Sequence, residues 1–511
     1  MLSKVWSAAT LGIDAVRITI EVDSAQTTKP GFTLVGLPDA AVREAYSRVR
    51  SALHNCGFWL PPRYITVNLS PADVKKEGSG FDLPIALGIL HASELLHEDQ
   101  ISGRVFVGEL SLDGTVAPVR GTLSISAALA RDTSVRELIV PSANANEAAA
   151  VRTVRVIGAP HLPALLQHLR AEALLPPAAS PHGSEAIVDG ADFSDVRGQA
   201  QAKRALEVAA AGGHNILMIG PPGSGKTMLA KRLPSILPCL SLEESIVTTK
   251  IHSVAGTLPA GSGLLTRRPF RAPHHTISTA GLVGGGTPPR PGEVSLAHHG
   301  VLFLDEFAEF RRDTLDVLRQ PMEDGIVTIG RVTRTVTFPS RFTLAAALNP
   351  CPCGFFNDGR RECICAVGQI GRYLGKISGP LLDRIDLQVE VPALAPDEIA
   401  STTAGEASAL IRERVEAARQ LQRERFRRSR AECNAEMSTR QMRRFCELAP
   451  SSRRLLEHAV ARLGLSARGY DRVLKVSRTI SDLAGSERID SSHVAEAVHY
   501  RALDRAYFRT G

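Results

Sequence analysis

Over its first 174 residues the chain shows two hydrophobic periods. Alternating apolar and polar positions are typical of strands, and apolar positions every three to four residues are typical of helices. The strand pattern occurs at 15–22, 64–69, 103–108 and 137–141. The helix pattern occurs at 40–51, 83–95, 124–131 and 162–174. This mixture predicts an α/β domain over residues 1–174.

Two changes of pattern divide the rest of the chain. Pro, Gly and Ser crowd into 175–184 without periodicity, so we place a linker at 175–189. From 190 to 392, strand-like and helix-like runs alternate, which predicts a parallel sheet with crossover helices. From 393 to 511 the pattern is helical almost throughout. The sequence therefore predicts an α/β multidomain protein whose parallel-sheet core is followed by a helical domain.

Composition excludes some classes of protein and leaves others open. Hydrophobic residues make up 44% of the 511 residues, and no apolar run approaches the roughly 20 residues that a membrane-spanning helix needs. The start of the chain lacks the long apolar stretch of a secretory signal. We therefore expect a soluble, cytoplasmic protein without a membrane partner. The net charge of +7 is compatible with nucleic-acid partners but is common in other proteins.

The most specific motif follows a strand-like apolar run at 215–219. Eight residues fit the pattern G-x-x-x-x-G-K-[ST], namely Gly220, Pro221, Pro222, Gly223, Ser224, Gly225, Lys226 and Thr227. In such a loop the backbone N–H groups face nucleotide phosphates, the lysine neutralises the β and γ oxygens, and the hydroxyl ligates Mg²⁺. The sequence therefore predicts a site for ATP and Mg²⁺, with Lys226 and Thr227 in the last two roles.

Two later apolar runs end in polar residues suited to the same reaction. The run at 301–304 ends in Asp305 and Glu306, and the run at 342–348 ends at Asn349. Buried strands of a parallel sheet deliver such residues to one edge. We expect Asp305 to hold Mg²⁺, Glu306 to polarise the attacking water, and Asn349 to contact the γ-phosphate or that water.

Arginines near the end of the core are candidates for completing the reaction. Arg384 stands between apolar residues, and a charge there needs a partner. One interpretation is an arginine finger that acts on the neighbouring subunit's γ-phosphate; the other is a pair with Asp383, Asp386 or another local acid. Arg468, at the start of a predicted lid helix, is the preferred nucleotide sensor, and Arg472 is the alternative.

Four cysteines form a cluster soon after Asn349. They make two C-x-C pairs, Cys351, Cys353, Cys363 and Cys365. Four thiolates are a common ligand set for structural zinc. The alternative is reduced thiols without a ligand.

Two basic segments of the core are candidates for DNA contact. Residues 267–286 contain Arg267, Arg268 and Arg271 and are expected to be an insertion beyond a minimal ATPase. Residues 325–338 alternate apolar and polar positions around a tip with Arg331 and Arg334, which predicts a β-hairpin. Cations at such a tip contact phosphates without reading sequence. The alternative is a solvated basic hairpin.

Several of these motifs together carry a family resemblance. The segments GPPGSGKT, PRPGEVSLAHHGVLFLDE, ALNPCPCG, GPLLDRIDL and SARGYDRVLKVSRTI resemble the magnesium-chelatase-like AAA+ ATPases. The segments VGLPDAAVREAYSRVRSAL and ITVNLSPADVKKEGSGFDLPIALGIL resemble the YifB/ComM branch of that family. The resemblance implies an AAA+ motor, a helical lid, assembly into a homo-hexamer, and helicase activity in branch migration during natural transformation. It also implies DNA, and possible recombination proteins, as partners.

The N-terminal segments KEGSGFD and VGELSLDGTVAPV resemble the S5-type domain of Lon proteases. Lon-type enzymes need a serine nucleophile activated by a lysine. Those two positions hold Gly80 and Leu123 in this chain. Ser79 lies next to Gly80, and Lys75 and Lys76 precede it, but a shift of one residue on a turn redirects the hydroxyl. We therefore expect a scaffold for assembly or DNA rather than a protease.

The sequence as a whole favours a ring-forming, Mg²⁺-dependent ATPase that moves on DNA. The main alternative is a motor that remodels a protein partner, as in magnesium chelatase. A simple binding module is disfavoured because Glu306 and Arg384 imply turnover.

Overall fold

The computed structural model describes residues 2–27, 29–59, 63–76, 78–151, 154–179, 191–259, 261–331, 334–394, 398, 405–429, 431–503 and 507. They form an N-terminal α/β domain, a parallel-sheet core and a helical C-terminal part.

The N-terminal domain is built on a mixed sheet of seven strands in the order β3-β4-β2-β1-β5-β8-β9. Its strands, with a separate β6–β7 pair, are β1 (Leu2–Leu11), β2 (Asp14–Gln26), β3 (Gly31–Val35), β4 (Arg63–Ser70), β5 (Arg104–Phe106), β6 (Glu109–Leu110), β7 (Val116–Ala117), β8 (Glu137–Pro141) and β9 (Arg155–Ala159). All four predicted strands are present. The prediction missed β1, which lies between β2 and β5, because its inward positions include Ser3, Ser7 and Ala8 rather than large apolar residues.

The helices of this domain include the four that the pattern predicts. They are α1 (Ala40–Arg43), α2 (Ala45–Asn55), α3 (Asp82–Ala92), α4 (Glu98–Ile101), α5 (Thr122–Leu129), α6 (Ala145–Ala149) and α7 (Leu162–Leu169). Helix α3 is buried along its whole length, as expected of a helix that is apolar on nearly every side.

The core contains a parallel sheet of five strands in the order β11-β14-β17-β10-β18. The strands of this part of the chain are β10 (Ile216–Ile219), β11 (Phe270–Arg271), β12 (Gly284–Gly285), β13 (Arg290–Pro291), β14 (Val301–Leu304), β15 (Ile326–Arg331), β16 (Arg334–Pro339), β17 (Thr343–Leu348) and β18 (Leu387–Glu390). Strands β10, β14 and β17 are buried at every position, which explains their continuous apolar runs.

Helices pack on the core sheet and join its strands. They are α8 (Ala200–Gly212), α9 (Lys226–Ile236), α10 (Leu242–Ala255), α11 (Thr279–Val283), α12 (Glu293–Leu296), α13 (Arg312–Asp316), α14 (Arg319–Asp324), α15 (Val367–Leu374) and α16 (Gly379–Leu382).

The two basic segments differ in how well the sequence described them. The β-hairpin predicted at 325–338 is confirmed as antiparallel strands β15 and β16. The segment at 267–286 is not wholly an insertion, because Phe270 and Arg271 form strand β11, which pairs with β14 at the edge of the main sheet. Two consecutive residues were too few for the pattern to reveal a strand.

The C-terminal part of the described chain is helical. Its helices are α17 (Ser408–Phe426), α18 (Thr439–Phe445), α19 (Pro450–Leu463), α20 (Ala467–Leu483) and α21 (Ser491–His499). Apolar side chains of this part share one core cluster with helices α8 and α9. The helical part is therefore docked onto the parallel-sheet core.

The N-terminal domain also touches the core. The turn between β1 and β2 packs on the hairpin, where a Cβ added to Gly12 would lie 2.9 Å from Cγ1 of Val336.

The first residues of the predicted linker run beside β9 of the N-terminal domain. The backbone N–H of Ala178 donates a hydrogen bond to the carbonyl oxygen of Val156 at 2.8 Å. Most of the rest of that linker, residues 180–189, lies outside the described residues. Within the described ranges, none of the helices has the length and apolar character of a membrane span.

Candidate nucleotide-binding site

The eight-residue loop joins strand β10 to helix α9. Gly223 and Gly225 have positive φ angles of 77° and 93°, a conformation in which a side chain would be strained. Gly225 is the N-cap of α9, so the helix begins at Lys226 with its free N–H groups and positive dipole end at the loop. The local sequence thus builds a phosphate-binding turn at the carboxyl edge of the sheet.

The Lys226 ammonium lies inside this loop. Its Nζ donates to the carbonyl oxygens of Gly220 at 2.7 Å and Pro221 at 2.8 Å, and to Oδ1 of Asn349 at 3.2 Å. Burial lowers the pKa of Lys226 to about 8, while the charge of Asp305 acts in the opposite direction. Phosphate oxygens offer this ammonium stronger acceptors than the loop carbonyls do.

Thr227 and Asp305 meet although they are 78 positions apart in the chain. The Thr227 hydroxyl donates to Oδ2 of Asp305 at 2.6 Å, and the other carboxylate oxygen accepts from the backbone N–H of Glu306 at 2.9 Å. Strands β14, β17 and β10 are neighbours, so Asp305, Asn349 and the loop share one edge. Hydroxyl and carboxylate oxygens are ligands that Mg²⁺ prefers, and the ion would neutralise phosphate charge there.

Glu306 lies beside His275, a residue that the sequence analysis did not place at this site. Its backbone is left-handed, with φ of 50°, and its Oε2 lies 3.2 Å from Nδ1 of His275. His275 follows β11, the outer neighbour of β14. The available signal was a polar residue soon after a strand that neighbours β14. The sequence analysis did not use this signal because it did not recognise β11 as a strand. This contact assigns His275 to the surroundings of the expected water-activating carboxylate.

Gln199 is a second residue that sequence reasoning missed. Its side-chain amide donates to the carbonyl oxygens of Ser224 at 3.3 Å and Pro392 at 2.6 Å. These two bonds tie the phosphate loop to the chain that leaves β18.

Arg384 lies at the opposite edge of the sheet. It is 4% exposed, and its backbone carbonyl accepts a hydrogen bond from Asn215, which precedes β10. Its guanidinium donates to the carbonyl of Pro380 at 2.6 Å and to the carboxylate of Glu323. The local acid that pairs with it is therefore Glu323, not Asp383 or Asp386.

Arg468 reaches the same carboxylate from the first turn of α20. Its Nη2 lies 3.6 Å from Oε1 of Glu323. The Arg468 side chain is 58% exposed and is open to a further partner. A hydrogen bond from Arg384 lowers the pKa of Glu323, and the charge of Arg468 adds to this effect.

Arg472, the alternative to Arg468, is held by a buried acid. Its guanidinium pairs with Asp386, which is 2% exposed and also accepts from the backbone N–H of Asn215 at 2.9 Å. Burial opposes ionisation of Asp386, but Arg472 and His214 outweigh it and lower the pKa. Arg472 therefore anchors α20 to the core sheet.

The basic residues expected to contact DNA have different surroundings. Arg268 forms hydrogen bonds of 3.1 Å with Glu244, and Arg271 pairs with Glu293 at 2.6 and 2.8 Å. Arg267 is exposed. The side chains of Arg331 and Arg334 lie outside the described part of the structure, although the backbone of both residues is paired at the end of the hairpin. Internal ion pairs thus remove Arg268 and Arg271 from the DNA surface that we propose.

The four clustered cysteines come together in space. The Sγ atoms of Cys351 and Cys353 are 3.3 Å apart, and each lies 3.6 Å from Sγ of Cys363. With Cys365, all four sulfur atoms lie within 4.8 Å of one another. The spacing suits four ligands of one metal ion.

The protease positions of the N-terminal domain do not form a catalytic pair. Leu123, at the lysine position, is fully buried. The Ser79 hydroxyl donates to the carboxylate of Glu109, and the Lys76 ammonium donates to the carbonyl of Pro71. With Ser79 bound to a carboxylate and Lys76 bound to a backbone carbonyl, these two residues do not form the serine–lysine pair that Lon-type enzymes use.

A phosphate loop at the edge of a parallel sheet, with an acidic pair and a polar residue on adjacent strand ends, defines a P-loop ATPase of the AAA+ class. Family models support this: "Magnesium chelatase, subunit ChlI" matches residues 192–399, "Subunit ChlI of Mg-chelatase" matches 20–144, and "Magnesium chelatase, subunit ChlI C-terminal" matches 405–501.

Full-length relatives define the family more closely. The chain is 46% identical over 509 residues to Competence protein ComM of Haemophilus influenzae, covering 99% of this chain and 98% of that protein. It is 44% identical over 506 residues to the uncharacterized protein YifB of Escherichia coli, with the same coverage. Lon protease 2 of Bacillus subtilis is 32% identical over 146 residues, covering 26% of this chain and 25% of that protein. The chain belongs to the YifB/ComM family of magnesium-chelatase-like AAA+ ATPases, and this membership implies ATPase activity with ATP and Mg²⁺.

Proposed function

We propose that this protein is a subunit of a hexameric ring that hydrolyses ATP and moves along DNA in the cytoplasm. In this proposal it is a helicase that drives branch migration of DNA during natural transformation and recombination, and it works with DNA and with recombination proteins. Similarity to Competence protein ComM over 99% of the chain supports the role in transformation.

The observation that carries the proposal is the way the basic hairpin joins the ATP site. Val327 and Phe338 of the hairpin lie in the same buried apolar cluster as Leu304 and Phe307, which flank the acidic pair. Close-packed side chains transmit displacement rather than absorb it. We propose that a change at Asp305 and Glu306 during hydrolysis is transmitted to the hairpin through this cluster.

Each residue at the carboxyl edge has a role in this proposal. Lys226 binds the β- and γ-phosphates, Thr227 and Asp305 hold Mg²⁺, Asn349 orients the γ-phosphate, and Glu306 accepts the proton of the attacking water. Removing a general base typically costs about 10²–10⁴ in rate. Glu306→Gln is therefore expected to retain nucleotide binding and lose hydrolysis.

The position of two arginines supports the proposed ring. Strand β18 has four residues, and each residue of a strand rises about 3.3 Å. Arg384 lies three residues before that strand, at the end away from the phosphate loop, so its backbone is separated from its own phosphate loop by more than about 13 Å. We propose that Arg384 and Arg468 complete the site of the neighbouring subunit, as arginine fingers do in trans.

Zinc enters the proposal as a structural ion outside the reaction. A zinc–thiolate bond of about 2.3 Å places the sulfur atoms of a tetrahedron about 3.8 Å apart. The separations between Cys351, Cys353 and Cys363 are close to that value. We propose that these three thiolates and Cys365 bind one Zn²⁺.

The N-terminal domain is proposed to be a scaffold that braces the DNA hairpin. Gly12 packs against Val336 of β16, the second strand of the hairpin. The neighbouring Ile13 contacts the same apolar cluster as that strand. A domain that lacks the protease pair thus retains a mechanical role.

The test compares ATP hydrolysis and DNA movement in the same preparations. We expect single-stranded or branched DNA to stimulate the wild-type ATPase, and we expect ATP-dependent strand displacement and branch migration. Arg331→Ala with Arg334→Ala removes the tip charges and is expected to abolish both DNA effects while basal hydrolysis persists. Arg453→Ala with Arg454→Ala removes two exposed arginines of α19 and serves as the matched control.

The second candidate is a motor that remodels a protein, because the matching models describe a subunit of magnesium chelatase. Stimulation of hydrolysis by a protein partner, with no effect of DNA or of the hairpin substitutions, would favour this candidate. Both candidates assume a ring. Light scattering of the protein with and without nucleotide measures its molar mass and so tests whether a hexamer forms.

A further inference from the structure

The loop that carries the four cysteines has little internal structure of its own. We call residues 351–365 the cysteine loop. No helix or strand occurs within it, yet Cys351 is fully buried. Backbone N–H groups point at two of its sulfur atoms, from Phe356 to Cys351 at 3.3 Å and from Cys353 to Cys365 at 3.4 Å. Such hydrogen bonds orient thiolates and stabilise their charge when they bind a metal.

The cysteine loop lies against the phosphate loop. At Gly354, φ is +88°, and an added Cβ would lie 2.5 Å from Cδ of Pro222. The Gly354 backbone therefore lies directly against the ring of Pro222, at a place where only glycine fits. Cys351 also follows Asn349 after one intervening residue, so the position of the first thiol restrains the residue that contacts Lys226.

The far side of the cysteine loop is tied to two later parts of the chain. Arg360 donates to the carbonyl oxygen of Leu394 at 2.5 Å, just beyond β18. The ring of Phe356 packs edge-on against Tyr507, with centroids 6.2 Å apart. The loop thus bridges the phosphate loop and the chain that leaves the sheet.

We propose that the metal-bound cysteine loop is a brace for the nucleotide site, so that nucleotide affinity depends on occupancy of the zinc site. A segment without helix or strand keeps one conformation only if other bonds fix it, and four metal–thiolate bonds do so. With the metal in place, Gly354 supports Pro222 and Cys351 fixes Asn349. Without it the segment relaxes, and both contacts with the phosphate-binding residues loosen. This inference rests on the zinc and ATP sites proposed above, but not on DNA.

The experiment measures metal content and nucleotide affinity on the full-length protein. Mass spectrometry of metals in wild-type protein is expected to give one zinc per chain, and Co²⁺ in its place is expected to show the visible absorption of a tetrahedral thiolate site. Titration with a fluorescent ATP analogue gives the dissociation constant. Cys363→Ser with Cys365→Ser is expected to lose the zinc and to raise that constant at least tenfold. Cys239→Ser, at an exposed thiol outside the cluster, is the matched control and is expected to change neither.

A second variant separates the brace from the metal. Gly354→Ala keeps all four thiols but places a methyl group against Pro222, so it is expected to retain zinc and still weaken nucleotide binding. Wild-type protein that contains no zinc would overturn the proposed metal site. Zinc-free protein with wild-type nucleotide affinity, or Gly354→Ala with wild-type affinity, would overturn the brace. Loss of DNA stimulation alone would contradict the proposed helicase and leave the brace intact.

Discussion

Glu323 and Arg384 are hydrogen-bonded to each other across the face of the core that lies opposite the phosphate loop. Arg468 approaches the same carboxylate. One acidic side chain therefore holds both arginines that we assign to the neighbouring subunit's nucleotide. Glu323 is also the penultimate residue of α14, and strand β15 begins at Ile326. The same residue thus links those arginines to the base of the hairpin.

Glu323→Gln is expected to lower kcat for ATP hydrolysis by at least tenfold, because both arginines lose the charge that positions them. An arginine finger raises kcat by a factor of about 10³–10⁵. Even partial misplacement of the arginines is therefore expected to lower kcat strongly. Nucleotide affinity is expected to stay within about twofold of wild type, since Lys226 and Thr227 bind on the other edge of the sheet. Steady-state kinetics and nucleotide titration measure the two quantities.

The control for this substitution is Asp324→Asn, which removes the adjacent carboxylate from the same helix. It is expected to retain the wild-type kcat. Equal kcat values for Glu323→Gln and wild type would show that the arginines do not depend on Glu323.

Arg472→Ala and Arg468→Ala are expected to differ in stability and in activity. Arg472 pairs with a buried carboxylate, and breaking such a pair costs about 3–5 kcal/mol. Arg468 is 58% exposed, and exposed pairs are worth about 0–1 kcal/mol. Urea denaturation is expected to show a large loss of stability only for Arg472→Ala. The ATPase assay is expected to show a loss for Arg468→Ala in fully folded protein; wild-type hydrolysis by that variant would remove its sensor role.

His275→Ala is expected to raise hydrolysis in the absence of DNA. In the structure His275 holds Oε2 of Glu306 at 3.2 Å, and a carboxylate engaged with an imidazole is less available to the attacking water. DNA would then stimulate the variant by a smaller factor than it stimulates the wild type. His274→Ala is the control, because its ring lies beside that of His275, with centroids 4.1 Å apart, but has no contact with the Glu306 carboxylate among the interactions of the described residues. A fall in basal hydrolysis for His275→Ala would instead mean that the histidine positions Glu306 for catalysis.

Nucleotide affinity is expected to weaken as the pH rises above about 8. Burial lowers the pKa of Lys226 to about 8 in the free protein, and phosphate charge raises it again in the complex. The free protein loses the proton first, so binding above pH 8 requires proton uptake, and affinity falls by up to about tenfold per pH unit. Calorimetry between pH 7.5 and 9.5 in two buffers measures both the affinity and the proton uptake. Lys226→Arg, which remains charged, is expected to bind without this dependence.

The nucleotide site was the part of the molecule most accessible from sequence. Asp305 and Asn349 each follow a continuous apolar run, and parallel strands bring such positions to one edge. Glu323 gave no comparable signal, because its partners Arg384 and Arg468 are separated from it by 61 and 145 residues. The pattern of apolar and polar residues reports only local periodicity. It carries no information about which distant charge a side chain will meet in the folded protein.

The sequence by itself determined the phosphate loop, the acidic strand end, the hairpin and the cysteine pairs, because each depends on residue types at short, fixed spacing. Only the tertiary structure decided which acid each buried or half-buried cation meets. It paired Arg268 with Glu244, Arg472 with Asp386 and Arg384 with Glu323. The physical reason is that a buried charge requires a compensating partner, and packing of distant segments selects that partner.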